Sequence, residues 1–191
     1  MALKLITPKR FSDTRGWFSE SWNRDLMTSH GIDVDFCQDN HSCSTRSGTL
    51  RGLHFQIPPY AQAKLVRCVK GRIFDVAVDI RPASPTFKQW VGIELSATAG
   101  SQLFIPAGYA HGFVTLEDEC EVIYKVDQYY VPEAEGGIAW NDPALAIDWP
   151  VEVSEVLLSA KDENLAVLKN LELSFEYDGC PMQLIQPDGV M

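Results

Sequence analysis

The sequence lacks the features that mark several large classes of protein. No stretch approaches the roughly 20 consecutive apolar residues of a membrane-spanning helix, and the opening MALKLITPKRF has no apolar centre typical of a secretory signal. We therefore expect a cytoplasmic protein. Five cysteines are scattered over 191 residues without a Cys-x-x-Cys pair. This spacing indicates neither a disulfide framework nor a zinc site built from thiolates.

Positive charge is also scarce. The chain has 16 lysines and arginines against 26 aspartates and glutamates, which gives a formal net charge of −10. The summed field of such a surface repels a polyanion and argues against a nucleic-acid binder. It does not exclude a small anionic ligand, because a few arginines in a cleft can hold a diphosphate through short-range bidentate hydrogen bonds.

Short β-rich runs fill the sequence from about residue 35 to residue 150. In IFDVAVDI, residues 73–80, the even-numbered residues are apolar, which is the period-2 pattern of a strand with one buried face. Similar runs follow, with Gly and Pro between them, and they predict a mainly β protein with a jelly-roll or sandwich barrel. The absence of a linker rich in Pro and Gly predicts a single domain over residues 1–191.

Helical patterns are confined to the two ends of the chain. SESWNRDLMTSHG, residues 19–31, begins with serine and ends at glycine, which predicts a short helix. SAKDENLAVLKNL, residues 159–171, places Leu165 and Leu168 on one face and predicts a packed C-terminal helix. Residues 172–191 show no period, and we expect a loosely held tail.

The histidines argue against a catalytic metal. FIPAGYAHGF, residues 104–113, resembles the second motif of the cupin superfamily, a group of small jelly-roll barrels. Where metal-binding cupins have His-x-His and then a glutamate, this chain reads His54-Phe55-Gln56, with no glutamate at the usual distance. With His111, only two imidazoles are in place, fewer than the three or four ligands that a transition metal generally takes. We therefore predict no metal and no cofactor.

His54 and Lys64 lie in sequence that otherwise reads as strand. A neutral histidine oriented by a carboxylate is the commonest general base near neutral pH. A lysine can stabilise the oxyanion that forms when a proton leaves a carbon next to a carbonyl. The pair therefore suggests enolisation. The alternatives are an ordinary core histidine and a surface lysine, since the sequence alone does not decide which face Lys64 occupies.

Several long motifs occur together and in one order. They are the run from Arg15 to Glu20, then QDNHS, RGLHFQ, PPYAQAKLVRCVKGRIFDVAVDIRPASPTF, PAGYAHGF, YKVDQYY, WNDPALAIDWP and SAKD. From about residue 9 to residue 168 they resemble the dTDP-4-dehydrorhamnose 3,5-epimerase family. The resemblance implies a cupin-type jelly-roll barrel with short helices at its ends. It also implies a metal-independent isomerase that inverts C3 and C5 of dTDP-4-dehydro-6-deoxy-D-glucose, giving dTDP-4-dehydro-L-rhamnose for surface polysaccharide synthesis.

The resemblance also implies roles for individual residues. His54 matches the base that removes the protons from C3 and C5, and Asp162 matches its carboxylate partner. Lys64 matches the group that stabilises the enolate oxygen, and Tyr124 matches the acid on the opposite face. Asp75 is an alternative partner for His54 or Lys64, because it is a carboxylate inside an apolar strand. The residues that match nucleotide-sugar contacts are Arg15, Phe18, Glu20, Gln38, Asn40, Arg51, His111, Tyr130, Glu135 and Lys161.

The resemblance further implies a homodimer, since family members typically have the N-terminal strand of one subunit reaching the barrel of the other. Arg15 and Phe18 would then serve the neighbour's site. Other functions stay open. Close relatives invert only C3 or only C5, or shift the keto group, and a catalytically silent cupin would merely bind a nucleotide-sugar. The joint presence of His54, Tyr124 and Asp162 counts against the silent protein.

Overall fold

Two β-sheets pack face to face in the computed structural model, which describes residues 1–186. The six-stranded sheet contains, in spatial order, β13 (Leu184–Ile185), β1 (Leu3–Ile6), β9 (Gln102–Ile105), β6 (Lys64–Lys70), β11 (Cys120–Val126) and β4 (Gln38–Ser44). The five-stranded sheet contains β12 (Glu135–Gly137), β5 (Leu50–Gln56), β10 (Tyr109–Thr115), β7 (Arg72–Asp79) and β8 (Trp90–Ser96). The pairing is antiparallel except between β1 and β13. Since β1 and β13 belong to the sheet, the barrel extends beyond the predicted range of 35–150.

A hairpin of two short strands lies outside both sheets. It consists of β2 (Arg10–Asp13) and β3 (Gly16–Ser19), which pair in antiparallel register. Among the described residues, helical structure is limited to α1 (Arg24–Ser29) and to 3₁₀ turns at Pro132–Ala134, Val153–Glu155, Asp162–Asn164 and Leu168–Asn170. None of the helices in residues 1–186 is long and apolar enough to span a membrane.

Both faces of the five-stranded sheet are buried. In β7, Ile73 and Ala77 point into the core between the two sheets. Val76 and Val78 point the other way, into a second cluster with residues such as Trp149 from the C-terminal half. The alternation in residues 73–80 therefore marks a strand, as predicted, but the expectation of one buried face is wrong. The C-terminal part of the chain covers the face that would otherwise meet water.

The predicted N-terminal helix is present but shorter than its sequence pattern. It follows Asn23, whose side chain accepts a hydrogen bond from the Leu26 backbone N–H at 3.1 Å, so Asn23 and not Ser19 caps the helix. Gly31, with φ of +73°, ends it. Met27 is fully buried and anchors the helix on the outer face of the six-stranded sheet.

The prediction of a C-terminal helix over residues 159–171 is wrong. Leu165, between the last two 3₁₀ turns, has the extended conformation with φ of −65° and ψ of 142°. The backbone here bonds to a neighbouring segment: the Ala139 N–H donates to the Ala166 carbonyl at 2.9 Å, and the Leu168 N–H donates to Asp142 Oδ2 at 2.5 Å. Because these groups bond to distant residues, they are not available for an i to i−4 helix.

The expected loose tail is also wrong for residues 172–186. Phe175 is buried and packs edge to face on Phe55, with ring centroids 5.7 Å apart. Asp178 accepts a hydrogen bond from the buried Arg81 guanidinium at 2.7 Å. The strand β13 then pairs with β1. Residues 187–191 lie outside the described part of the chain.

Candidate active site

An open cavity of about 560 Å³ lies between the two sheets and is closed on one side by residues 157–162. Of the fourteen predicted site residues, eleven line it. They are Gln38, Asn40, Arg51, His54, Lys64, His111, Tyr124, Tyr130, Glu135, Lys161 and Asp162. These residues come from six strands, from the loop that contains Tyr130 and from the start of the 3₁₀ turn at Asp162–Asn164, far apart in sequence. The fold thus gathers the predicted residues in one place.

Strand pairing explains why these side chains share the cavity. Residues directly opposite each other in an antiparallel pair point to the same face of the sheet. His54 lies opposite His111 in the five-stranded sheet, and Tyr124 lies opposite Asn40 in the six-stranded sheet. Lys64 shares its side of β6 with the buried core, so it points inward and is not a surface charge.

A β-bulge brings Arg51 into the same cavity as His54. The two are three positions apart along β5, so a regular strand would point them to opposite faces. The register shifts here, and Gly52 has φ of +123°. A Cβ at this position would lie 2.5 Å from the Gly112 Cα and 2.8 Å from the His111 carbonyl oxygen. Only glycine allows this close approach of the two strands.

His54 and Asp162 form a hydrogen-bonded pair on the wall made by the five-stranded sheet. His54 Nε2 lies 2.6 Å from Asp162 Oδ1. Burial tends to raise the pKa of Asp162, but hydrogen bonds from His54 and Ser159 and the charges of His54 and Lys161 outweigh it, so the pKa is lowered. The carboxylate is therefore ionised and can hold Nε2–H, which leaves Nδ1 as the basic nitrogen.

Ser159 fixes the second oxygen of Asp162. Its hydroxyl donates to Asp162 Oδ2 at 3.0 Å and accepts from the Asp162 backbone N–H at 3.1 Å. Ser159 was not predicted as a site residue. A signal was present in the sequence, since Ser-x-x-Asp is the spacing at which a hydroxyl caps the start of a helical turn.

Asp75 pairs with the other cavity histidine. His111 Nε2 lies 2.8 Å from Asp75 Oδ1, and both side chains are buried. Burial lowers the pKa of His111 despite the nearby carboxylate, so this imidazole stays neutral. Asp75 is thus not the partner of His54. Its second oxygen has no hydrogen-bond partner among the described residues.

Lys64 is buried close to both histidine pairs. Its ammonium donates to the His54 backbone carbonyl at 3.2 Å. Burial lowers its pKa to about 8, although the charges of Asp75 and Glu135 favour the protonated form. Lys64 therefore remains mostly protonated at neutral pH and presents a desolvated positive charge inside the cavity.

Tyr124 lies on the opposite wall from His54. It belongs to β11 of the six-stranded sheet, and the Arg51 guanidinium interacts with it electrostatically. Burial raises the pKa of Tyr124, and Arg51 only partly offsets this effect. The phenol thus keeps its proton in the resting site. Arg51 is held by Ser44 Oγ at 3.1 Å and by the Cys43 carbonyl at 3.0 Å.

The mouth of the cavity contains a cluster around Glu135. Tyr130 donates its hydroxyl proton to Glu135 Oε2 at 2.7 Å, and Lys161 forms an ion pair with the other carboxylate oxygen. Burial opposes ionisation of Glu135, but these two contacts prevail and lower its pKa. Gln38 on β4 reaches the cluster, because its Oε1 accepts from the Tyr130 backbone N–H at 3.4 Å, while its amide donates to Asn40 Oδ1 at 2.8 Å.

The family model for dTDP-4-dehydrorhamnose 3,5-epimerase matches residues 2–170. The chain belongs to that family. The protein of this name from Sinorhizobium fredii is 48% identical over 175 residues, covering 92% of this chain and 89% of the relative. The epimerase structure from Bacillus anthracis, with TDP and PPi bound, has a TM-score of 0.84 at 49% identity and covers 86% of this chain and 93% of that chain.

A second 3,5-epimerase structure, from Legionella pneumophila, is in complex with dTDP-4-keto-L-rhamnose. It has a TM-score of 0.85 at 47% identity and covers 89% of each chain. The family assignment and the mainly β, cupin-type fold expected from the sequence are confirmed.

The epimerase-family residues Arg15, Phe18 and Glu20 do not reach the cavity of their own chain. Arg15 forms an ion pair with Asp13 at 2.7 Å beside the hairpin turn. Phe18 is 69% exposed, and Glu20 accepts a hydrogen bond from the Asn23 side chain at 3.1 Å. Their expected contribution to a site therefore requires a second copy of the chain.

The cavity also contains residues that were not predicted from the sequence. Among the described residues these are Ser42, Thr49, Leu50, Phe55, Gln56, Gln62, Phe113, Leu157, Leu158 and Ser159. Ser42 continues the alternation of Gln38 and Asn40 along β4, so strand parity could have found it. Leu157 and Leu158 come from a loop without periodicity, and no sequence signal points to them.

The cavity's donor set does not suit a transition metal. Within residues 1–186, no three His, Cys, Asp or Glu side chains converge as a ligand group. His54 and His111 each use Nε2 on a separate carboxylate. The expectation of a metal-free site stays a prediction that elemental analysis can test.

Proposed function

We propose that this chain is a 3,5-epimerase that converts dTDP-4-dehydro-6-deoxy-D-glucose to dTDP-4-dehydro-L-rhamnose. One observation carries the proposal: a carboxylate-oriented histidine and a protonated tyrosine face each other from opposite walls of one cavity. A base on one face and an acid on the other convert a planar enolate into the inverted centre. A single group doing both steps would tend to restore the starting centre.

In the first step, His54 removes the proton from C3, which is acidic because it lies next to the C4 carbonyl. The electron pair moves to the carbonyl oxygen, and the Lys64 ammonium stabilises the enolate charge there. Asp162 stabilises the imidazolium that forms, since it holds the Nε2–H and stays ionised. A positioned base of this kind contributes roughly 10²–10⁴-fold to the rate.

In the second step, Tyr124 donates its proton to the opposite face of the enolate carbon. The raised pKa of Tyr124 means that the phenol is protonated when the enolate forms. The resulting phenolate is stabilised by Arg51, and proton exchange with solvent resets both groups. The same sequence then operates at C5, the other carbon next to the C4 carbonyl.

The nucleotide half of the substrate is proposed to contact the mouth of the cavity. Tyr130 provides an exposed ring for the base, and Lys161 provides positive charge for the diphosphate. The other proposed contacts from this chain are Gln38, Asn40, Arg51, His111 and Glu135.

We propose that the working assembly is a homodimer in which the β2–β3 hairpin reaches the partner's cavity. The hairpin exposes three aromatic side chains, since Phe11, Trp17 and Phe18 are each more than half exposed. An apolar surface of this kind, placed outside both sheets, suits an interface between copies. The cytoplasmic location expected from the sequence belongs to this proposal as well.

The test is an NMR time course of the purified, chelator-treated protein with dTDP-4-dehydro-6-deoxy-D-glucose in D₂O. Deuterium at both C3 and C5, with formation of the rhamno product, is the expected result. Deuterium at one carbon would instead identify a single-centre epimerase. A migrated keto group would identify a ketoisomerase, and no exchange at either carbon would contradict the enzymatic proposal.

A further inference from the structure

Gln56 stands where metal-binding cupins have the second histidine of His-x-His, and the proposed mechanism gives it no role. It lies two residues after His54 on β5 and is only 3% exposed. Both ends of its amide are engaged. Nε2 donates to the Tyr60 carbonyl at 2.7 Å and to the Tyr129 carbonyl at 3.2 Å, and Oε1 accepts from the Val131 N–H at 2.7 Å.

Two of these three bonds flank Tyr130, a residue of the cavity mouth. Tyr129 and Val131 are the chain neighbours of Tyr130, and both are held by the Gln56 amide. The other backbone contact of Tyr130, from its own N–H to Gln38 Oε1, is long at 3.4 Å. The Tyr130 side chain is about half exposed and makes its hydrogen bond to Glu135. The position of the Tyr130 backbone therefore depends mainly on Gln56.

We propose that Gln56 is a positioning residue, whose amide fixes the backbone on both sides of Tyr130 and so holds that ring where the nucleotide base binds. The inference rests on the proposed function, because Tyr130 is taken to contact the nucleotide.

The chemistry of the three bonds favours an amide. Two backbone carbonyls require a donor group with two hydrogens, and one backbone N–H requires an acceptor, which is the inventory of a glutamine side chain. A neutral imidazole has one donor and one acceptor, and an ionised carboxylate has only acceptors. Replacement by a metal-binding histidine would leave at least one of the three backbone groups without its partner.

The first test is Gln56→Met, which keeps the length of the side chain and removes its hydrogen bonds. We expect faster hydrogen exchange at the Val131 amide, measured by NMR, because the acceptor is gone. We also expect the affinity for dTDP, measured by calorimetry, to fall by about tenfold, as for the loss of one or two hydrogen bonds. The rate of deuterium exchange at saturating substrate should fall less than the affinity.

A double-mutant cycle tests whether the effect of Gln56→Met on dTDP affinity depends on the Tyr130 side chain. In a Tyr130→Ala background, Gln56→Met should have little further effect on dTDP affinity, since the ring that Gln56 positions is absent. Equal losses in both backgrounds would overturn the proposal.

Ser84→Ala is the matched control for lost stability. It removes a buried hydroxyl that donates to Asp79 at 2.6 Å outside the cavity, and it should lower the melting temperature without changing dTDP affinity.

Two further outcomes would also overturn the proposal. One is an unchanged rate of hydrogen exchange at the Val131 amide in Gln56→Met. The other is faster exchange at that amide in a Gln56→Met protein that still binds dTDP as tightly as the wild type. If Gln56→Met does not fold, Gln56→Glu is the second variant. It keeps an acceptor for the Val131 N–H but turns its other oxygen towards the Tyr60 and Tyr129 carbonyls, so the affinity for dTDP should fall. An unchanged affinity in that variant would overturn the proposal. A wild-type protein that does not bind dTDP would contradict the proposed function itself, whereas the Val131 result tests the contact alone.

Discussion

The proposed roles of His54 and Tyr124 can be distinguished experimentally, because the base controls deuterium exchange and the acid controls inversion of the carbon centre. His54→Ala should abolish deuterium exchange at both C3 and C5. Tyr124→Phe should still exchange, since His54 can remove a proton and return a deuteron on the same face, but net epimerisation should fall by roughly 10²–10⁴-fold. The two signals come from one NMR time course in D₂O. Retained exchange in His54→Ala would mean that another base operates.

Lys64 should determine the alkaline side of the pH profile. Its pKa of about 8 lies below the usual value because burial disfavours the ammonium. As pH rises through about 8 the lysine loses its charge, so the enolate loses its stabilising cation and the exchange rate should fall. Lys64→Met should lack this decline and should be about 10²–10³-fold slower below pH 8.

Lys125→Met is the matched control for the lysine prediction. Lys125 forms an ion pair with Asp39 at 2.8 Å on the outer face of the same sheet, and it does not line the cavity. This variant should keep both the rate and the alkaline decline. If the exchange rate of Lys64→Met still falls at alkaline pH as in the wild type, the decline is caused by another titrating group.

At the scale of elements, the β-bulge on β5 decides whether Arg51 and His54 face the same cavity. Gly52→Ala would force a Cβ into the adjacent strand in addition to an unfavourable positive φ. We expect a loss of about 2–4 kcal/mol of stability, measured by denaturant unfolding, together with weaker substrate binding. Gly179→Ala is the control, because Gly179 has φ of +81° but nothing within 4 Å of the added Cβ. Equal losses in the two variants would mean that the strand contact is unimportant.

The strands of the barrel could be predicted from sequence, because their signals are local. Alternating apolar residues and Gly or Pro breaks arise within a few positions of each other, and they located β7 and its neighbours. The segment 159–171 shows where such signals fail. Its leucines have helical spacing, yet the Leu168 N–H bonds to Asp142 and the Ala166 carbonyl bonds to Ala139. Those partners depend on the tertiary fold, which no local pattern encodes.

The residues of the candidate site were predicted from the family resemblance and not from local sequence patterns. The pairing of His54 with Asp162 joins residues 108 positions apart, and periodicity gave no indication of it. It followed from a family resemblance, as did Tyr124 and Glu135. From the residues alone, Asp75 was an equally reasonable partner for His54. The structure separates the two carboxylates because β10 brings His111 opposite β7, where Asp75 lies.

At the scale of the whole molecule, a cavity that lacks Arg15 from its own chain should be completed by the partner's hairpin. His54→Ala and Arg15→Ala should each be nearly inactive as homodimers. After mixing and subunit exchange, a heterodimer has one cavity with an intact His54 and a hairpin with an intact Arg15. Random pairing makes half of the dimers heterodimers with one intact site each, so activity should recover to about a quarter of the wild-type rate.

The matched control for this complementation is a mixture of His54→Ala with Tyr124→Phe. Both residues line the cavity of their own chain, so every site in the mixture keeps one defect and activity should not recover. Size-exclusion chromatography with light scattering should show the same dimer mass for all variants. Recovery in the control mixture, or none with Arg15→Ala, would contradict a hairpin shared between subunits. In that case each chain would complete its site alone, and Arg15 and Phe18 would be surface residues outside it.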